Sequence, residues 1–386
     1  MTLDAMERVC LEANALDAWL SVGIGKEAVP IKGVLALLPL AQADRLPLLQ
    51  QACQRAGAQL IGAIFPALID GAALVHEGAW LLGLPQQPVS FLLPDLEQDP
   101  QAAGNRLADA ARQAMDVLAQ RGDSPRGTLL MVFDGQLTRI GSLVEQAYLA
   151  LDGRLRLMGV NAGSDSFKPM PCLFDAQTVI GNGMLGLLLP DTVMTGLSLQ
   201  PAQLNELFTV TASVDNRVAS INGRPAFDVY RELVARDYGV DLHAGNFYEH
   251  AVHFPMAIVR GDRQALYRIP ARLEDDGAIT CIGEIPRYSL VSVLKAPALA
   301  DMACTDQLAT AMPVSPAGQL LTFYCAGRSL HFGQGCHQEL DRLQHLLQPA
   351  CHAGALVLGE IGNTNSWGYP LFYNGAIAGV GWELRP

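Results

Sequence analysis

The chain has 386 residues, half of them hydrophobic and 17% charged, which excludes a disordered or fibrous protein and at this length favours two domains, each with a full core. A formal charge of −12 surrounds it with a field that repels phosphate backbones and anionic headgroups, so nucleic acid is not an expected partner. No run approaches the roughly 20 apolar residues of a membrane span, and the amino terminus lacks the basic-then-apolar order of a signal peptide; the expectation is a cytoplasmic protein with no membrane insertion.

The first element reads as a helix capped by Thr2, with Leu3, Met6, Cys10, Ala13, Leu16 and Leu20 at helical spacing. Residues 33–38 form an apolar run short and continuous enough for a strand covered on both faces. A helix over 45–56 follows, then strands over 60–65 and 78–85. The plan returns at Gly127, with a strand over 127–133, a helix starting at Thr138, and strands over 157–160 and 183–190. A third copy starts at Gly318, runs through a helix marked by Cys336, Leu340, Leu343 and Leu347, and ends with strands near 354–359 and 375–382. Helices near 3–20, 103–119 and 298–312 precede the copies. The fold class is therefore α/β, with mixed sheets from three related αβαβ-plus-antiparallel-strand units.

Between the second and third copies, alternation around 208–211 and 218–221, closed by Asn222-Gly223, reads as a hairpin. A helix with Pro225 in its first turn follows. A boundary near 220 gives two domains, 1–220 and 221–386, with the possibility that strands on either side pair across it.

Gly181-Asn182-Gly183-Met184-Leu185-Gly186 spells G-x-G-x-x-G, but an apolar strand follows it where a dinucleotide site needs a helix N-terminus, so it reads as a turn into a buried strand. His250 and His253 share a helix face and make half of a metal site; one of them, with His253 preferred, is also enough to bind haem iron, and the alternative is a pair of hydrogen-bonded histidines under a loop. The eight cysteines lack any C-x-x-C pair and read as reduced thiols, mostly small core hydrophobes.

The most informative stretch is Cys325-Ala326-Gly327-Arg328, at the end of the third copy's first strand, where the strand-to-helix loops of α/β sheets open clefts. Gly359-Glu360-Ile361-Gly362 ends the neighbouring strand. An arginine fork grips a carboxylate and a glutamate holds an ammonium group, so Arg328 and Glu360 suit an amino acid; equally, they suit a buried ion pair that fixes the loops. Cys325 and Asn374 would line such a site. Cys325 with His331, His337 or His352 is the alternative of a cysteine-dependent enzyme, although no nucleophile elbow, H-E-x-x-H or Walker loop is present.

Several of these segments carry a likeness. Residues 159–167, 171–174 and 218–226, followed by 325–328, 359–362 and Tyr373-Asn374, occur in an order that resembles the FIST (F-box and intracellular signal transduction) proteins, with an N-terminal and a C-terminal region, over about 30–383. The chain departs from the family at Gly62-Ala63-Ile64-Phe65-Pro66-Ala67-Leu68, where a polar loop has been lost, so any ligand contact there is not carried over. The resemblance implies a non-enzymatic sensor that binds a small ligand and signals to a separate partner, a histidine kinase or a cyclic-di-nucleotide enzyme such as a diguanylate cyclase. The resemblance implies either an amino-acid-like ligand or, as in those bacterial members that are haemoproteins, nitric oxide bound through haem.

Overall fold

The computed structural model describes residues 3, 5–25, 28–124, 126–199, 204–260, 265–312, 314–315, 318–363 and 369–383. Three units of one plan form its body. In the first, strand Met6–Val9 and helix Ala13–Val22 lead into the parallel strands Gly33–Pro39 and Gln59–Phe65, joined by helix Leu46–Ala56, and strand Ala79–Leu84 closes the sheet antiparallel. The second unit repeats this with Ser90–Leu93, helix Pro100–Gln120, Gly127–Asp134, helix Ile140–Leu151, Arg156–Ala162 and Met184–Pro190. In the third the same places are taken by Met194–Ser198, helix Ala303–Ala311, Gly318–Cys325, Cys336–Leu347, Cys351–Val357 and Ile377–Glu383. The repeat read from the sequence is thus the architecture, and its mixed α/β sheets follow from it.

The amino-terminal helix is shorter than its spacing suggested. Met6–Val9 pairs with Ala79–Leu84, Met6 opposite Leu82 and Val9 opposite Ala79. Apolar residues at 6 and 9 fit either period, and the free edge of an all-buried strand decides for pairing. Thr2 lies outside the described residues.

Each sheet is completed by a hairpin from another unit. Leu173–Asp175 with Val179–Ile180, from the second unit, extends the first sheet; Glu360–Gly362 with Leu371–Tyr373, from the third, extends the second; Leu68–Asp70 with Ala73–Val75, from the first, extends the third. The exchange closes a ring. One glycine stands at each transfer point: Gly62, Gly159 and Gly354 are the fourth residues of the three equivalent strands. Opposite them sit Phe174, Ile361 and Ile69 of the incoming hairpins. A Cβ at these positions would fall 2.2, 2.5 and 2.1 Å from the carbonyl oxygens of Ala36, Met131 and Thr322. The inner faces of the sheets share one core, in which Phe65 of the first meets Phe323 of the third with ring centroids 6.3 Å apart.

A fourth, eight-stranded sheet is inserted in the third unit, between its first strand and its first helix, and runs from Phe208 to Val293. Phe208–Val214 pairs with Arg217–Ile221 on one side and with Leu290–Val293 on the other. Position 220 therefore lies inside a strand of this inserted sheet, and the strands before and after it do pair across. The third unit itself draws on both halves, since Met194–Ser198 pairs with Ile377–Glu383. Helix Ala226–Tyr238 starts directly after Pro225, as its sequence implied, and buries Val229, Tyr230, Leu233 and Val234 against this sheet.

Candidate functional site

Strand Gly318–Cys325 passes straight into helix Ala326–Phe332. This places Cys325, Arg328, Glu360 and Asn374 around one turn, residues 374–376. Gly375 N–H donates to Cys325 Sγ (3.1 Å), Arg328 Nη1 donates to the Gly375 carbonyl (3.3 Å), and Ala376 N–H donates to Glu360 Oε2 (3.2 Å). Asn374 Nδ2 donates to the Tyr373 carbonyl, and its Oδ1 accepts from Ile269 N–H of the inserted sheet. The four residues are together, and all four are buried.

Arg328 and Glu360 do not pair. The guanidinium lies under the helix that carries it and is held by Glu339 of the next helix, Nε to Oε2 at 2.6 Å and Nη2 to Oε1 at 2.5 Å. Tyr324 O–H donates to the same Oε2 at 2.5 Å, and the guanidinium carbon sits 5.0 Å from the Phe332 ring centroid. Burial alone would lower the Arg328 pKa, but the Glu339 carboxylate outweighs it and holds the guanidinium charged. Glu360 lies beside the Cys325 thiol instead. Burial drives its pKa well above the carboxylate range, and its Oε1 has no hydrogen-bond partner among the described residues. Burial, and then the neighbouring Glu360, also raises the Cys325 thiol.

Glu339 escaped the sequence reading, although a signal existed. It shares a helix face with Cys336, Leu340 and Leu343, and a charge inside an apolar stripe requires a buried partner. Arg268 was also missed. It is 3% exposed and donates to the carbonyls of Tyr267, Glu284 and Phe372, with its guanidinium carbon 5.2 Å from the Phe372 ring centroid.

His253 joins the inserted sheet to the body, its Nδ1 2.7 Å from Nδ1 of His331. His331 Nε2–H donates to the Pro297 carbonyl, so neutral His331 accepts at Nδ1 and His253 donates. Burial lowers both pKa values, further for His253 through its His331 neighbour. The expected histidines hydrogen-bonded under a loop are present, with His331 rather than His250 as the partner. Nδ1 of His253, the residue preferred as an iron ligand, is thus engaged with His331, and the neighbouring pocket lined by His331 and Arg328 measures about 30 Å³. Among the described residues no group of three or more His, Cys, Asp or Glu is placed to hold a metal ion.

One space large enough for a small ligand lies between the body and the inserted sheet. A cleft of about 480 Å³ is walled on the body side by Gly135, Gln136 and the loop Ser166–Pro169, and on the other by Asn216, Phe247, Arg272, Thr280 and Gly283. Phe167, Ala271 and Ile282 also line a narrower apolar pocket of about 30 Å³ that reaches Cys325 and Gly327. Gly327 and Ile269 continue that pocket to the one beside Arg328 and His331. Cys325 lines the second of these pockets and Arg328 the third, while Glu360 and Asn374 line none of the three.

The FIST N domain model matches residues 34–224 and the FIST C domain model residues 226–363. The chain belongs to the FIST family, whose domains are sensory signal-transduction domains. No curated protein matches the chain. Among the described residues no helix is long and apolar enough to cross a membrane.

Proposed function

We propose that this chain is a non-enzymatic sensor whose small ligand, an amino-acid-like compound, occupies the cleft between the three-unit body and the inserted sheet. The cleft carries the reading: its volume of about 480 Å³ falls in the range of small-molecule sites, and it joins apolar walls to a few polar groups. Lys168 supplies an ammonium group for the ligand carboxylate, and Gln136 and Thr280 supply hydrogen bonds. Phe167 and Phe247 pack against the side chain. Arg272 is already taken by Glu274, at 2.8 Å. Cys325, Arg328 and Glu360 hold the 374–376 turn by hydrogen bonds and so support the fold beside the cleft without lining it. The raised pKa of buried Cys325 is the reverse of what a thiolate nucleophile requires, which favours sensing over cysteine chemistry. A separate histidine kinase or cyclic-di-nucleotide enzyme reads the occupied state, as the family's signalling role suggests.

A thermal-shift screen of the common amino acids tests this, because a ligand that binds only the folded state raises Tm by mass action. The expected result is a rise of a few degrees with one chemical subset, lost in Lys168→Ala. No shift with any compound, or hits that bind Lys168→Ala unchanged, would sink the reading.

A further inference from the structure

The cleft and the pocket that reaches Cys325 differ in chemistry. Lys168, Gln136 and Thr280 line the cleft alone, whereas Phe167, Ala271 and Ile282 line both spaces. Val252, Ile269, Leu330 and Leu358 complete most of the pocket wall, and none of its lining side chains bears a charge, an amide or a hydroxyl. Its one polar side-chain atom, Cys325 Sγ, already accepts from Gly375 N–H. A polar group entering this pocket would lose its water and gain no partner.

The pocket is also small. A space of about 30 Å³ holds about two water-sized groups, which suits two methyl groups and is too little for a phenyl ring. Two contacts keep it so. Leu358 Cδ1 stands 2.6 Å from where a Cβ on Gly135, in the cleft wall, would be. Toward His331 the pocket narrows where Ile269 Cδ1 stands 2.3 Å from the Cβ position of Gly327.

Phe167, which borders both spaces, is held in an unusual conformation. Its φ of 52° lies in the left-handed region that an aromatic residue rarely adopts, and its N–H donates to the Ser164 carbonyl. Its side chain packs against the cores of both the second and the third unit. Backbone strain of this kind persists where the surroundings over-determine it, and it gathers at ligand clamps.

We propose that this pocket reads the side chain of the cleft's ligand: it takes the branched end of an aliphatic amino acid, leucine or isoleucine, beside Phe167, with Leu358 setting the size limit. The inference rests on the sensory reading above and narrows its ligand from amino-acid-like compounds at large to this class. The α-carboxylate stays at Lys168 in the cleft. Alanine leaves the pocket empty, glutamine brings an unpaired amide into it, and phenylalanine is too large for it.

Affinities of L-leucine, L-isoleucine, L-alanine, L-phenylalanine and L-glutamine are measured by isothermal titration against the full chain and against Leu358→Ala. Leucine and isoleucine should bind about tenfold or more tighter than alanine, since one methylene in an apolar pocket is worth roughly 10–200-fold. Glutamine and phenylalanine should fall behind them. In Leu358→Ala the enlarged pocket should move the phenylalanine-to-leucine affinity ratio toward phenylalanine by about tenfold, whereas a general loss of stability would weaken both alike and leave that ratio in place. An unchanged ratio in the variant, or alanine or glutamine binding as tightly as leucine, would overturn the pocket assignment and leave the ligand reading standing. Silence of all five would overturn it too, and the wider screen with Lys168→Ala then decides the ligand reading by itself. Should Leu358→Ala fail to fold, Leu358→Val is read in the same way.

Discussion

Arg328 and Glu339 meet through two parallel bonds, at 2.6 and 2.5 Å, with side chains 3% and 0% exposed. Removing one charge strands the other in the core, which costs about 3–5 kcal/mol, whereas replacing both by apolar groups of similar volume is far milder. Arg328→Met and Glu339→Leu should each lower the urea midpoint strongly, and the double variant should recover most of the loss. A double variant as unstable as the sum of the two would contradict this pairing.

Glu360 should behave in the opposite way. Its pKa is raised in the fold, above the 4.5 of the free group, so its contribution is fully present below about pH 4.5 and is lost as pH rises toward the folded value. Glu360→Gln, which stays neutral at every pH, should therefore melt a few degrees higher than the parent at pH 7. Near pH 4 the two should melt together. Parallel curves over the whole range would mean that Glu360 is ionised in the fold.

Histidine sets the acid limb. His352 is 5% exposed and held only through Nε2 to Thr322 Oγ1, and burial lowers its pKa to about 4. Burial depresses His253 and His331 as well. Depressed values bind fewer protons in the fold than in the unfolded chain, so this stability is complete above pH 6.5 and is lost as pH falls below it. For His352 alone the loss amounts to about 3 kcal/mol by pH 4. Urea midpoints across pH 4–8 measure it; His352→Gln should flatten the decline, and a decline equally steep in that variant would assign it to other groups.

The strand-centre glycines give a fourth test. At Gly354 a Cβ would lie 2.1 Å from the Thr322 oxygen and 3.2 Å from Ile69 Cβ. Gly354→Ala should destabilise by about 1–3 kcal/mol and raise proteolytic cutting at 68–75, the hairpin that docks there. Destabilisation without new cutting in that segment would show that the glycine serves only its own strand pair.

The body of the fold was legible because each unit repeats long apolar strands and amphipathic helices, and three copies reinforce one another. The exchanged hairpins were not. Leu68–Asp70 and Glu360–Gly362 have three residues each, too few for a period to show, and their partners lie far away in the chain. At the candidate site the sequence brought Cys325, Arg328, Glu360 and Asn374 to one place. It paired Arg328 with the wrong glutamate, because Glu360 follows a neighbouring parallel strand while Glu339 lies on the crossover helix between. The cleft depends on Phe167 of the second unit and on Arg272 and Gly283 of the inserted sheet, about a hundred residues further on, and no local pattern connects them.

The ring of exchanged hairpins also bears on the order in which the protein is made. As the chain leaves the ribosome, the first sheet waits for residues 173–180, the second for 360–373, and the third for a strand that ends at Glu383. Met194–Ser198 must stay unpaired until Ile377–Glu383 appears, while the inserted sheet between them can assemble from neighbours. Such distant pairings are slow to form and leave apolar edges bare in the meantime. A cut between the two matched regions, near 225, would leave the first sheet whole and split the second and third, since Glu360–Gly362 and Leu371–Tyr373 belong to the second sheet, and Leu68–Asp70, Ala73–Val75 and Met194–Ser198 to the third.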